Sequence, residues 1–208
     1  METSESKTRI IRAALDLMSQ SGLSGVGINQ VVKESAAPRG SIYHFFPGGK
    51  LELATVALAE AEQGVAQWFR GVFDRREPLA GKVESLFAGA AENVAASGFN
   101  KSCPVGAVAL DIDADSERMR AVCHRIFTTW KEAIAIGLDE VPTPERPAVA
   151  ELILATLEGS LILARSQASK DPLLRAGKSL GNVLAGRFQN ASAQIAAAVP
   201  FRRSGGDV

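Results

Sequence analysis

The sequence predicts an all-α protein with a small three-helix head and a larger helical body. Two observations carry that expectation. Apolar residues recur at helical spacing almost everywhere, and no series of alternating apolar and polar residues marks out strands. The nine prolines fall at 38, 47, 78, 104, 142, 144, 147, 172 and 200. The stretches between them are rich in Ala, Leu, Glu, Arg and Gln, which are good helix formers.

The elements follow in order. Ile10, Ala14, Leu17 and Met18 form a first helical stripe, with Gly22 as its C-terminal stop. Ile28, Val31, Val32 and Ser35 form a short second stripe. Ile42, Phe45 and Phe46 form a third, starting near Pro38 and stopped by Pro47-Gly48-Gly49. A long helix is expected over 51–73, from Leu51 to beyond Val72, and another over 79–97. Gly98–Cys103 is a loop. Val105–Leu110 is a short apolar run compatible with helix or strand, and helix is the reading adopted. Further helices are expected over 114–138, at about 146–169 and over 173–198, with a frayed tail at 201–208. The domain boundaries are a head at 1–50 and a body at 51–200.

Net charge is zero over 208 residues, so any nucleic-acid contact must come from a local patch. Residues 1–50 carry six basic side chains against four acidic ones, which leaves the head at +2 and the remainder at −2. Two cysteines, Cys103 and Cys123, do not make a disulfide scaffold. The polar, mixed-charge N-terminus is unlike a signal peptide. No run of about 18 or more uncharged apolar residues is present, so no spanning helix and no membrane partner are expected. The expectation is a cytoplasmic protein.

The second and third stripes are joined only by Ser35-Ala36-Ala37-Pro38, and so tight a joint sets two helices at a steep angle, as in a helix-turn-helix. The third helix would turn Ile42, Phe45 and Phe46 inward. Its outer side would present Arg39, Gly40, Ser41, Tyr43 and His44, donors and acceptors that reach base edges and phosphates. Gly40 costs about 1 kcal/mol of helix propensity, a cost tolerated where a partner backbone approaches closely. Lys50 combines a positive charge with a helix N-terminus. On periodicity alone, three amphipathic helices are equally a small bundle that touches no DNA.

The run from Ile28 to Leu53 resembles the N-terminal signature of the TetR family of bacterial regulators. The family's Gly-[Ser/Thr]-[Leu/Ile]-Tyr-x-x-Phe core appears as Gly40-Ser41-Ile42-Tyr43-His44-Phe45-Phe46. Its Lys-x-x-Leu appears as Lys50-Leu51-Glu52-Leu53. The resemblance covers roughly residues 6–54. The candidate DNA contacts are then Asn29, Arg39, Gly40, Ser41, Tyr43, His44 and Lys50. Two residues depart from the pattern. Ala36 stands where the family usually has a turn glycine, and a left-handed Ala costs roughly 1–2 kcal/mol. Pro38 stands where a capping Ser is common and brings no side-chain cap. The segment Lys101–Gly106 and the spacing of Met119, Arg120, Cys123, Phe127 and Trp130 resemble the branch near multidrug and antibiotic-resistance regulators.

The resemblance implies a homodimer built by the last two long helices. The residues agree: Ala150, Ile153, Leu154, Leu157, Leu161 and Ile162 exceed one buried stripe, and Glu158-Gly159-Ser160 interrupts them with small residues. Leu180, Val183, Leu184, Phe188 and Ile195 add a second stripe. The alternative is that these stripes only fill the monomer core. The resemblance also implies an apolar cavity for a small effector. Candidate ligand contacts are Trp68, Phe69, Cys103, Phe127, Trp130 and Leu157, although aromatic stripes at helical spacing are usually core. Few charges are expected there, which favours an uncharged or aromatic effector.

Other motifs fail. Asp111-Ile-Asp113-Ala-Asp115 has Ser116 and Val122 where a calcium loop needs Gly and Glu, so capping of the next helix is expected. His44 belongs on the DNA face, and His124, next to Cys123, lacks partners at zinc spacing. No nucleophile–base pair, cofactor or metal is expected, and the protein is not expected to be an enzyme. The expected function is a sequence-specific DNA-binding regulator, in the family's usual mode a repressor, released from a near-palindromic operator by a small hydrophobic effector. Two alternatives are a thiol-oxidation-sensing regulator using Cys103 at a helix N-terminus, and a helical ligand-binding protein without a DNA role.

Overall fold

The computed structural model describes residues 2–113 and 116–198, with side chains placed from Glu5 to Phe188 within those spans. All regular structure among them is helical. The helices are α1 (Glu2–Ser21), α2 (Ile28–Ser35), α3 (Arg39–Phe45), α4 (Gly49–Phe73) and α5 (Leu79–Ala96). They continue with α6 (Pro104–Leu110), α7 (Glu117–Ile136), a single 3-10 turn (Thr143–Glu145), α8 (Arg146–Gln167) and α9 (Asp171–Ala198). The ambiguous run after Pro104 is helix. Residues 114–115, the expected tail at 201–208 and the side chain of Ile195 lie outside the described residues.

Helices α1, α2 and α3 pack on one another and on the start of α4. Their apolar stripes meet as Ile10, Ala14, Met18, Val31, Ile42 and Phe46, all buried. Phe45, also expected inside, is only half-buried and packs against the edge of this core. In the body, α5 lies along α9, α4 along α7, and α8 against both α7 and α9. Glu62 joins α4 to α7 deep in the fold. Its carboxylate pairs with Arg125 and accepts from Thr129 Oγ1 at 2.7 Å, and its carbonyl accepts from Trp130 Nε1 at 3.0 Å. A buried carboxylate persists only when paired and hydrogen-bonded, and this one is both.

Residues 143–167 are long and apolar enough to cross a membrane by length and composition. One face nevertheless belongs to the core, through Val149, Ala150, Ile153, Leu154, Leu157, Ser160 and Ala164. The opposite side leaves Leu152, Ile162 and Leu163 about half exposed, and α9 leaves Leu174 and Val183 exposed beside it. Of the three small or polar residues read as an interruption, only Gly159 faces outward, where a Cβ would meet nothing within 4 Å. Ser160 is buried, and Glu158 is half-buried and lines a cavity.

Candidate nucleic-acid interface and ligand cavity

The turn between α2 and α3 is built without glycine. Ala36 sits in the left-handed region at φ 50°, ψ 28°. Ser35 holds it from both ends: its Oγ accepts from the Ala37 amide at 3.3 Å, and its carbonyl accepts from Arg9 Nε at 3.0 Å. Pro38 then enters α3 extended, with no side-chain cap. Because Ile42 and Phe46 are buried, the opposite side of α3 faces solvent. Arg39, Gly40, Tyr43 and His44 are exposed and Ser41 is half-buried. Asn29 is exposed near the start of α2. A Cβ added at Gly40 would meet nothing within 4 Å, so no close contact within the protein explains that glycine.

Lys50 has a partner within the chain that sequence spacing did not show. It is half-buried, and its ammonium donates to the Ser24 carbonyl at 3.4 Å. The N-terminus of α4 is already served by Glu52, whose carboxylate accepts from the Gly48 amide at 2.6 Å.

The body contains a mostly apolar cavity of about 320 Å³ between α1, α4, α5, α7 and α8. Trp68, Phe69, Cys103, Trp130 and Leu157 all line it. Phe127 does not. It lines an adjoining cavity of about 680 Å³ between α6 and α8, and Ser102, Cys103, Glu158 and Leu161 face both spaces. The rings form a chain, with centroids 5.3 Å apart from Trp68 to Phe69, 6.0 Å from Phe69 to Trp130 and 5.7 Å from Trp130 to Phe127. Each spacing suits tilted or edge-to-face packing.

The cavity is less free of charge than expected. Asp16 and Lys101 sit on its wall as an ion pair at 2.7 Å, and Glu158 lies inside. Burial pushes the Glu158 carboxyl up to about 7, partly offset by a hydrogen bond from Cys103. Burial also raises the Cys103 thiol well above its ordinary range, and the negative charge of Glu158 adds to this. The Gly106 and Val105 amides at the start of α6 only partly offset the rise. A helix N-terminus therefore does not yield a thiolate here, and a thiol of that kind is a poor nucleophile toward oxidants. The Cys123 thiol is pushed up to about 11, again by burial.

The residues between cavity and head were invisible to sequence spacing. Four carbonyls in the last turn of a helix lack helical partners. In α1 all four are satisfied. Met18 accepts from the Gly22 amide at 2.9 Å and Ser21 from the Gly25 amide at 3.2 Å. Ser19 accepts from the Ser102 amide at 2.9 Å, and Gln20 accepts from Arg165 at 2.7 Å. Asp111, expected to cap α7, instead turns to the head. Its two oxygens accept from the Ser24 amide at 2.5 Å and the Ser24 hydroxyl at 3.1 Å. Ser24 is thus held by Asp111 on one side and Lys50 on the other.

Residues 10–55 match the family described as bacterial regulatory proteins, tetR family. Residues 80–179 match the LmrA/YxaF-like transcriptional regulator C-terminal domain. The HTH-type transcriptional regulator YxaF of Bacillus subtilis is 33% identical over 172 residues, covering 82% of this chain and 90% of YxaF. The chain belongs to the TetR family. It is a DNA-binding transcriptional regulator, and its α2–turn–α3 unit is the helix-turn-helix of that family. The regulatory protein TetR from Rhodobacter sphaeroides has the same fold, with a TM-score of 0.76 at 23% identity over 84% of this chain and 96% of that one. A cysteine mutant of the TetR family regulator CifR, solved with a 26 bp double-strand operator DNA, superposes with a TM-score of 0.73 at 18% identity. That superposition covers 84% of this chain and 94% of CifR.

Proposed function

We propose that this TetR-family regulator is a repressor that a small, largely hydrophobic molecule releases from its operator. The observation that carries the proposal is the shared wall between cavity and head. Lys101 and Ser102 line the cavity and also hold Asp16 and Ser19 of α1. Arg165 lines the adjoining cavity and holds Gln20. An occupant that displaces this segment changes the support of α1, and through it the placement of α3. Helix α4 supplies a second route, because it lines the cavity with Val65, Trp68 and Phe69 and begins beside Lys50 in the head.

In this reading the head is residues 1–50 and the body 51–200, in the cytoplasm. Arg39, Ser41, Tyr43 and His44 meet base edges and phosphates, Gly40 lets α3 approach the DNA backbone, and Asn29 and Lys50 flank the contact. Trp68, Phe69, Cys103, Trp130 and Leu157 hold the effector, with Phe127 at the adjoining space. The exposed apolar faces of α8 and α9 join two copies, which places two recognition helices on a near-palindromic site with half-sites roughly 34 Å or a related spacing apart. The effector favours a form whose heads are mis-spaced, with a coupling of about 1–3 kcal/mol.

The test is a gel shift of the purified protein on fragments flanking its own gene, with nonspecific competitor at near-physiological salt. A discrete, competitor-resistant shift that hydrophobic compounds reverse is the expected result. A shift that no cavity-binding compound weakens refutes effector release.

A further inference from the structure

We propose that the effector carries a protonated amine on an apolar or aromatic body, with the amine seated against Glu158. The proposal rests on the cavity being the effector site. Glu158 is set among apolar and aromatic side chains and faces both cavities. Among the described residues, no lysine, arginine or histidine nitrogen forms an ion pair with its carboxylate. Two cations stand in the walls, Lys101 in the first cavity and Arg165 in the adjoining one, and neither pairs with Glu158. Lys101 pairs with Asp16, and Arg165 donates to the Gln20 carbonyl of α1. Lys101 and Asp16 cancel, so the first cavity carries one uncompensated negative charge whenever Glu158 is ionised.

A carboxylate in such a place is costly, and the elevated pKa of Glu158 expresses that cost. Cys103 offers only a weak S–H donor to it. A cation entering the cavity compensates the charge directly. The rings of Trp68, Phe69 and Trp130 supply the second half of its recognition, since aromatic faces attract cations and replace lost hydration. An anionic ligand would meet like charge at the same point. A neutral one would leave the carboxylate either uncompensated or protonated.

The chain has two tryptophans, Trp68 and Trp130, and both line the cavity, so their fluorescence reports occupancy. The probes are phenylbutylamine, phenylbutanol and phenylbutyrate, matched in apolar body and differing in charge, titrated into the full-length protein. A charge-assisted contact in a partly buried site should make the amine bind about tenfold to hundredfold tighter than the alcohol, with the carboxylate weakest. Glu158→Gln should abolish the preference for the amine while leaving the alcohol's affinity within about twofold, which also certifies the fold. Glu158→Asp should retain part of it. Equal binding of amine and alcohol, or a preference that survives Glu158→Gln, overturns the amine inference and leaves the cavity as a ligand site. Failure of all three compounds to alter the fluorescence overturns the cavity reading and the inference with it.

Discussion

Glu158 gives the protein a stability that depends on pH in a definite direction. In the folded chain its carboxyl titrates near 7, against an ordinary value of 4.5. The gap corresponds to at most about 3 kcal/mol. Between those two values the folded state holds a proton that the unfolded state has released, so stability falls as pH rises through the window. Above pH 7 both states are ionised and the full cost is present; below 4.5 both are protonated and it vanishes. Glu158→Gln does not titrate, and its amide oxygen can still accept from Cys103. The variant should therefore match the native protein at the acid end and exceed it by about 1–3 kcal/mol above pH 7. Urea denaturation at several pH values measures the difference, at equal protomer concentrations because the proposed association would add to stability. A difference that stays constant across the window would refute the reasoning, because it would place Glu158 in contact with water and not in a desolvated wall.

Gly22 has φ 66°, and a Cβ there would lie 2.9 Å from Asp111 Cβ and 3.1 Å from the Ala107 carbonyl. Gly22→Ala should cost roughly 2–4 kcal/mol and lower the Tm; an unchanged melting curve would contradict the tight approach of α6 to this loop. Asp111→Ala removes two hydrogen bonds to Ser24 in an exposed place, so stability should fall by only about 1 kcal/mol. Its operator binding should respond less to a cavity ligand than the native protein's, in the same gel shift. Arg39→Ala should weaken operator binding by about 1–3 kcal/mol; a loss confined to particular base substitutions marks base reading, and a uniform loss marks a phosphate contact. Leu163→Glu places a charge on the exposed face of α8, and light scattering should report dimer for the native chain and monomer for the variant.

The amino-acid sequence by itself determined the helices, the helix-turn-helix and the family, because these rest on short-range physics. Apolar spacing, prolines and tight joints act within a few residues, so Ile42 and Phe46 turning inward also dictates that Arg39, Tyr43 and His44 turn outward. The aromatic candidates Trp68, Phe69 and Trp130 were legible for the same reason, as members of helical stripes. Phe127 lines the adjoining space, and a stripe does not say which of two neighbouring spaces each ring faces.

Tertiary structure alone decided the rest. The bonds from Ser24 to Asp111, Ser19 to Ser102 and Gln20 to Arg165 join residues 83 to 145 positions apart, and none leaves a periodic trace. Glu158 and Lys50 show the same limit from the other side. A glutamate in a helix looks like a solvated surface residue, and a lysine beside a recognition helix gives no sign of the carbonyl it reaches within the chain. Only the packing of α8 against the cavity wall desolvates the first, and only the position of the Ser24 carbonyl engages the second. Local sequence sets which face of a helix is apolar; what that face meets is set by chain segments far away, through burial and hydrogen-bond satisfaction.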